Sequence, residues 1–132
     1  MKIEVSNGEI IDKHTILEIK LSKIKDSKKL INIQNEYDTL TPDVENIYDA
    51  CKDKNHLKKL QNDLLEVNKK LWKIEDDIRE CEMECNFGQI FIDLARAVYY
   101  TNDNRSDVKK EINIFTGSDL TEEKSYEEYK SK

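Results

Sequence analysis

Apolar positions recur along this chain at alternating steps of three and four. The longest such series, Leu57, Leu60, Leu64, Val67, Leu71, Ile74, Ile78 and Cys81, has no break. In an α-helix, residues three and four apart share a face, so this series predicts one long helix with an apolar seam. The seam leaves water only against other apolar stripes. Either the first and last helices of the same chain cover it, or a second copy does.

Gly8, Pro42, Gly88 and Gly117 fall where the other stripes need to start or stop. Ser6 and Glu9 have the spacing of a capping box, which starts a first helix. Its stripe is Ile10, Leu17, Leu21 and Ile24, with His14 in the gap. Ile11, Ile16 and Ile19 widen that stripe, so this helix is covered on two sides. A second stripe, Leu30, Ile33, Tyr37 and Leu40, follows the short polar junction at Asp26 and Ser27, which favours an antiparallel neighbour. Thr41 reads as the N-cap of a separate brief helix with Pro42 in its first turn, carrying Val44, Ile47, Tyr48 and Cys51. Asn55 is the predicted cap of the seam helix, which spans on the order of 45 Å to Cys85. Beyond Asn86, Phe87 and Gly88 the stripe resumes with Phe91, Leu94, Val98 and Thr101, then Val108 and Ile112.

The predicted fold is therefore all-α, an antiparallel helical bundle around a long hairpin of residues 55–85 and 88–113. A single domain covers 1–117. The polar stretch from Asn102 to Ser106 leaves a kink open. Lys2 to Val5 reads as a short extended segment. Residues 118–132 form a charged tail, weakly packed or folded back, whose only aromatics are Tyr126 and Tyr129.

Composition narrows the functional classes. The 132 residues carry 22 Lys and Arg against 28 Asp and Glu, a net charge of -6 that repels a phosphate backbone, so nucleic acid is not an expected partner. Cys51, Cys81 and Cys85 are odd in number and lack framework spacing, which fits a reducing, cytoplasmic setting. No apolar run approaches the ~18 residues needed to span a bilayer, and Lys2 and Glu4 interrupt the start, so no signal peptide or membrane segment is expected.

The seam helix has lysines first (Lys54, Lys58, Lys59, Lys69, Lys70, Lys73) and carboxylates last (Glu75, Asp76, Asp77, Glu80, Glu82, Glu84). This order opposes the helix dipole, so cations are expected to answer it, with Arg79 inside the cluster and Arg96 arriving from the returning helix. A structural ion-pair network is one reading. The other starts from a second stripe, Leu65, Asn68, Trp72, Glu75 and Arg79, which mixes an aromatic with both charges. Facing it, Arg96, Tyr99, Asn102 and Asp103 from the last helix, with Asp12 and Lys13 from the first, make a candidate small-ligand pocket. Cys81 and Cys85 lie one turn apart without a second Cys or His pair, so no metal site is predicted. His14 and His56 read as structural, and neither has a nucleophile at recognisable spacing.

The segment from Glu4 to Lys13 (EVSNGEIIDK), followed by Thr15 to Lys20, resembles an uncharacterised family of small bacterial and phage proteins, classed as a domain of unknown function. Trp72 to Arg79 (WKIEDDIR), Phe87 and Gly88, Ala95 to Tyr99 with Thr101 to Asp103, and Glu122 to Tyr126 resemble its other blocks. The resemblance is weakest from Leu30 to Asn68. It implies no activity, but it places Glu9, Asp12, Lys13, Glu75, Asp76, Arg79, Arg96, Tyr99, Asn102 and Asp103 in the shared blocks. With Trp72, these make up the candidate ligand-binding set.

The expected function is a non-enzymatic self-association or protein-interaction module, forming a homo-oligomer or binding a partner protein, with no cofactor. The alternative is a small-ligand binder or enzyme using the acidic and arginine cluster. One form of it resembles a Mg²⁺-dependent nucleotide pyrophosphohydrolase, using Glu75, Asp76 and Glu80. The other resembles a chorismate mutase, using Arg79, Arg96 and Lys13.

Overall fold

Ser6 starts the first helix as expected: its hydroxyl accepts the backbone N–H of Glu9 at 3.2 Å. In the computed structural model, which describes residues 1–120, 123 and 127–129, four helices follow one another. They are α1 (Asn7–Lys23), α2 (Ser27–Asp49), α3 (Lys54–Met83) and α4 (Gln89–Thr116). No strand occurs among the described residues, and the segment before Ser6 is irregular. No helix there is long and apolar enough to cross a membrane.

The seam is covered within one chain. Leu57, Leu60 and Leu64 from α3 pack with Ile11 of α1 and Ile112 of α4, all almost completely buried. Ile47, Tyr48 and Cys51 at the end of α2 and Val108 of α4 close the cluster. Fully burying each such side chain stabilises the fold by roughly 1.5–3 kcal/mol. The hub is α1, which packs against all three other helices. That explains why its apolar residues go nearly all the way round: Ile11, Leu17 and Ile19 are buried although they cannot share one face.

Several local expectations are revised. The brief helix after Pro42 is not separate, because α2 runs through Pro42 from Ser27 to Asp49. Thr41 does not cap: its hydroxyl donates to the Tyr37 carbonyl at 2.8 Å from inside the helix. Packing of α2 along α1 outweighs the one hydrogen bond that proline removes. Asp53, not Asn55, caps α3, accepting from the His56 N–H at 3.1 Å. The stretch from Asn102 to Ser106 stays helical within α4. The turn between α3 and α4 begins at Cys85, whose φ of 54° is left-handed. There the Asn86 N–H reaches the Cys81 carbonyl at 2.8 Å, a glycine-type helix ending made by a cysteine.

Gly8 is not a breaker. It lies in the first turn of α1, where its N–H donates to Asn113 Oδ1 at 2.7 Å and α4 comes too close for a side chain. The neighbouring Glu9 carboxylate turns to Lys109 of α4 at 2.6 Å.

The contacts set the register. Asn7 meets Thr116, Gly8 meets Asn113, Glu9 meets Lys109 and Asp12 meets Arg105, so α1 runs antiparallel to α4 and hence along α3, where Asp12 and Thr15 stand level with Asn68. Carried to Lys23, that register ends α1 near the level of Asp76. The hairpin of α3 and α4 therefore projects past α1 by roughly 10 Å, at ~1.5 Å per residue.

On the other side of α1, His14 stacks on Tyr37 of α2 with ring centroids 4.2 Å apart, and its Nε2 lies 3.1 Å from Thr41 Oγ1. Burial lowers the His14 pKa below its ordinary 6.5; Glu18 opposes that shift and Lys58 adds to it. The unfolded chain therefore binds the proton first, and stability falls as pH drops below ~6.5, levelling once the folded pKa is passed. Thermal unfolding between about pH 7 and about pH 5 should show a smaller loss of Tm in His14→Phe than in the wild type. An unchanged acid slope would mean that His14 does not titrate differently on folding.

Candidate functional site

Where α1 crosses the hairpin, Ile16 and Ile19 of α1 face Leu71 and Trp72 of α3 across an open groove of about 570 Å³. Glu75, Asp76 and Arg79 continue its α3 wall, and Asn102 and Arg105 form the α4 wall. Of the candidate set, Trp72, Glu75, Asp76, Arg79 and Asn102 are thus brought together. Helical spacing did this for α3, since 68, 72, 75 and 79 follow one face.

Beneath the groove, Asp12 is buried to 1 % exposure. Its carboxylate accepts from Asn68 Nδ2 at 2.9 Å and from Arg105 through both Nε, at 2.9 Å, and Nη2. Asn68 Nδ2 also donates to the Thr15 hydroxyl at 2.9 Å, which in turn donates to the Asp12 carbonyl at 2.7 Å. No buried side-chain polar atom lacks a partner among the described residues. A carboxylate taken out of water needs this degree of pairing. The network pins α1, α3 and α4 in one register.

The remaining candidates lie elsewhere. Glu9 is held by Lys109, and Lys13 faces α2, with Glu36 at 3.9 Å. Arg96 is exposed on α4 and bonds to Tyr99 and Tyr100, which raise its pKa. Tyr99 stacks on Tyr100 at 5.1 Å, and Tyr129 from the tail stands edge-on to both at 4.9 Å. Asp103 takes the Tyr129 hydroxyl; desolvation first, then that carboxylate, pushes the Tyr129 pKa up to about 12. Part of the tail thus folds back, while the block at Lys124 and Tyr126 lies outside the described residues.

Arg105 was missed as a site residue. Thr101, Arg105, Val108 and Ile112 step by four, three and four, so a lone arginine in the register of a buried stripe was the available signal. Asn68 carries the same signal on α3, a buried amide one turn past the buried Leu64.

The acidic half of α3 is answered by its own helix, with Lys73 on Asp77 at 2.8 Å and Arg79 on Glu75 at 3.3 Å. Both pairs are largely exposed and screened by solvent, so neither contributes much to stability. Glu80, Glu82 and Glu84 make no ion pair among the described residues. They lie on the projecting hairpin tip, where Met83, Phe87, Ile90 and Ile92 are all exposed and Phe87 meets Phe91 edge-on at 5.3 Å. Cys81 is buried and Cys85 exposed.

Residues 1–132 match one family along their whole length. The chain belongs to DUF6165, a family of unknown function. No curated protein and no solved structure matches it. As a DUF6165 member the chain thus comes with a fold and a described surface but no inherited chemistry.

Proposed function

We propose that this DUF6165 chain is a non-enzymatic protein-interaction module whose contact surface is the projecting tip of the α3–α4 hairpin. One observation carries the reading. Among the described residues no third helix lies over the hairpin past the end of α1, and four large apolar side chains are exposed there beside Glu80, Glu82 and Glu84, which make no ion pair among those residues. Exposed apolar clusters of this kind, rimmed by charge, are how soluble proteins present association surfaces. The buried seam no longer supports association, since α1 and α4 consume it.

A photo-crosslinking residue at Ile90 tests the reading against the same probe at the exposed Asn62, distant on α3. Discrete adducts at Ile90 that are absent at Asn62 are expected. The same pattern at both positions, or no adduct at Ile90, overturns it.

A second reading attaches to the groove, because Trp72 lies beside a fully satisfied polar network that fixes Arg105 in place. A small ligand carrying both an anionic and a cationic group suits walls that hold Arg79 and Arg105 against Glu75 and Asp76. Trp72 is the one tryptophan, so its fluorescence reports occupancy. Titration with nucleotides plus Mg²⁺, dicarboxylates and amino acids should give one saturable change that Arg79→Ala weakens. A flat response to all of them removes this reading.

A further inference from the structure

We infer that the occupant of the hairpin tip is a second copy of this chain, joined about a two-fold axis so that each tip lies over the lysine-rich shoulder of the other. The inference rests on the tip being the interaction surface, and it adds the partner.

The charge distribution points to it. Residues 76–93, the tip, contain six carboxylates and one arginine, a formal charge of −5. Residues 20–29, where α1 ends and α2 begins, contain five lysines and one aspartate, a formal charge of +4. Lys20, Lys23, Lys25, Lys28 and Lys29 make no ion pair among the described residues, just as Glu80, Glu82 and Glu84 make none. A chain with this much of both charges leaves two opposite blocks unanswered.

The register places both blocks at the same end of the bundle. The shoulder is the ledge at which α1 stops, and the tip rises past it by roughly 10 Å. Ile31, exposed on the first turns of α2, supplies an apolar contact on the shoulder beside the lysines. Two tips cannot meet face to face, because their carboxylates repel. A two-fold arrangement sets tip on shoulder twice, pairs opposite charges at both contacts, and closes without forming a filament.

Sedimentation equilibrium across a micromolar-to-millimolar dilution series is the test. The wild-type chain is expected to dimerise, more weakly at 1 M than at 0.15 M salt, as the Debye length falls from ~8 to ~3 Å. A tip-reversed variant (Glu80→Lys, Glu82→Lys, Glu84→Lys) and a shoulder-reversed variant (Lys23→Glu, Lys25→Glu, Lys28→Glu) should each be monomeric. All six positions are exposed, so helicity and Tm verify folding. An equimolar mixture of the two variants restores opposite charge at both contacts and should dimerise again. A monomeric wild type, a dimer that survives both reversals, or a mixture that stays monomeric overturns the inference. If the wild type is monomeric while Ile90 crosslinks to a different protein, the self-partner fails but the interaction reading stands. Absence of both results removes both.

Discussion

Asp12→Ala lowers the free energy of unfolding by about 3–5 kcal/mol. Asp12 is buried under the groove, and its carboxylate is the acceptor for Arg105 Nε and Nη2 and for Asn68 Nδ2. Truncation leaves a part-buried guanidinium facing a cavity and an amide 5 % exposed that has lost one acceptor. The loss of the buried charge pair dominates, because the carboxylate volume removed is small beside it. Urea denaturation measures the change, and a loss under about 1 kcal/mol would show that the network is not held together by charge. Replacing the set together (Asp12→Leu, Asn68→Leu, Arg105→Met) should recover most of the loss, since an apolar core of similar volume has no ion to desolvate.

Gly8→Ala has the second largest expected effect, a loss of about 2–4 kcal/mol. A Cβ on Gly8 would lie 2.5 Å from the Lys109 carbonyl oxygen and 2.9 Å from Asn113 Oδ1. The backbone carbonyl cannot yield without moving α4, and a shift of α4 or of the Asn113 side chain breaks the buried bond from the Gly8 N–H to Asn113 at 2.7 Å. Hydrogen exchange should show lost protection at the start of α1 and the end of α4, alongside the drop in denaturation midpoint. Gly88→Ala is the control: its Cβ would have no neighbour closer than 3.5 Å, so little change is expected. Equal effects at both glycines would mean that close approach to α4 does not govern Gly8.

The candidate site was legible where one helix face builds it. Trp72, Glu75, Asp76 and Arg79 come together because they share a face of α3. Of the residues expected from other helices, Asn102 joins the groove and Asp12 lies beneath it, but Lys13 faces α2, while Arg96, Tyr99 and Asp103 form a cluster with Tyr100 and Tyr129 on α4. Helical phase states which residues of one element share a side, but not how two elements are rotated against each other. The stripe register marked Arg105 as out of place, but only its bond to Asp12, 93 positions away in the chain, gives it a role.

Taken alone, the amino-acid order determined the all-α class, the length of the hairpin, the Ser6 cap and the need for the 57–81 seam to be covered. These follow from periodicity and backbone geometry, which act over three or four residues. Tertiary structure alone decided that α1 is the hub, that α2 continues through Pro42, that Gly8 serves close approach, and that the hairpin tip stands uncovered. Each depends on which surfaces meet across long sequence separations, where packing energies outweigh a local propensity of a few kcal/mol.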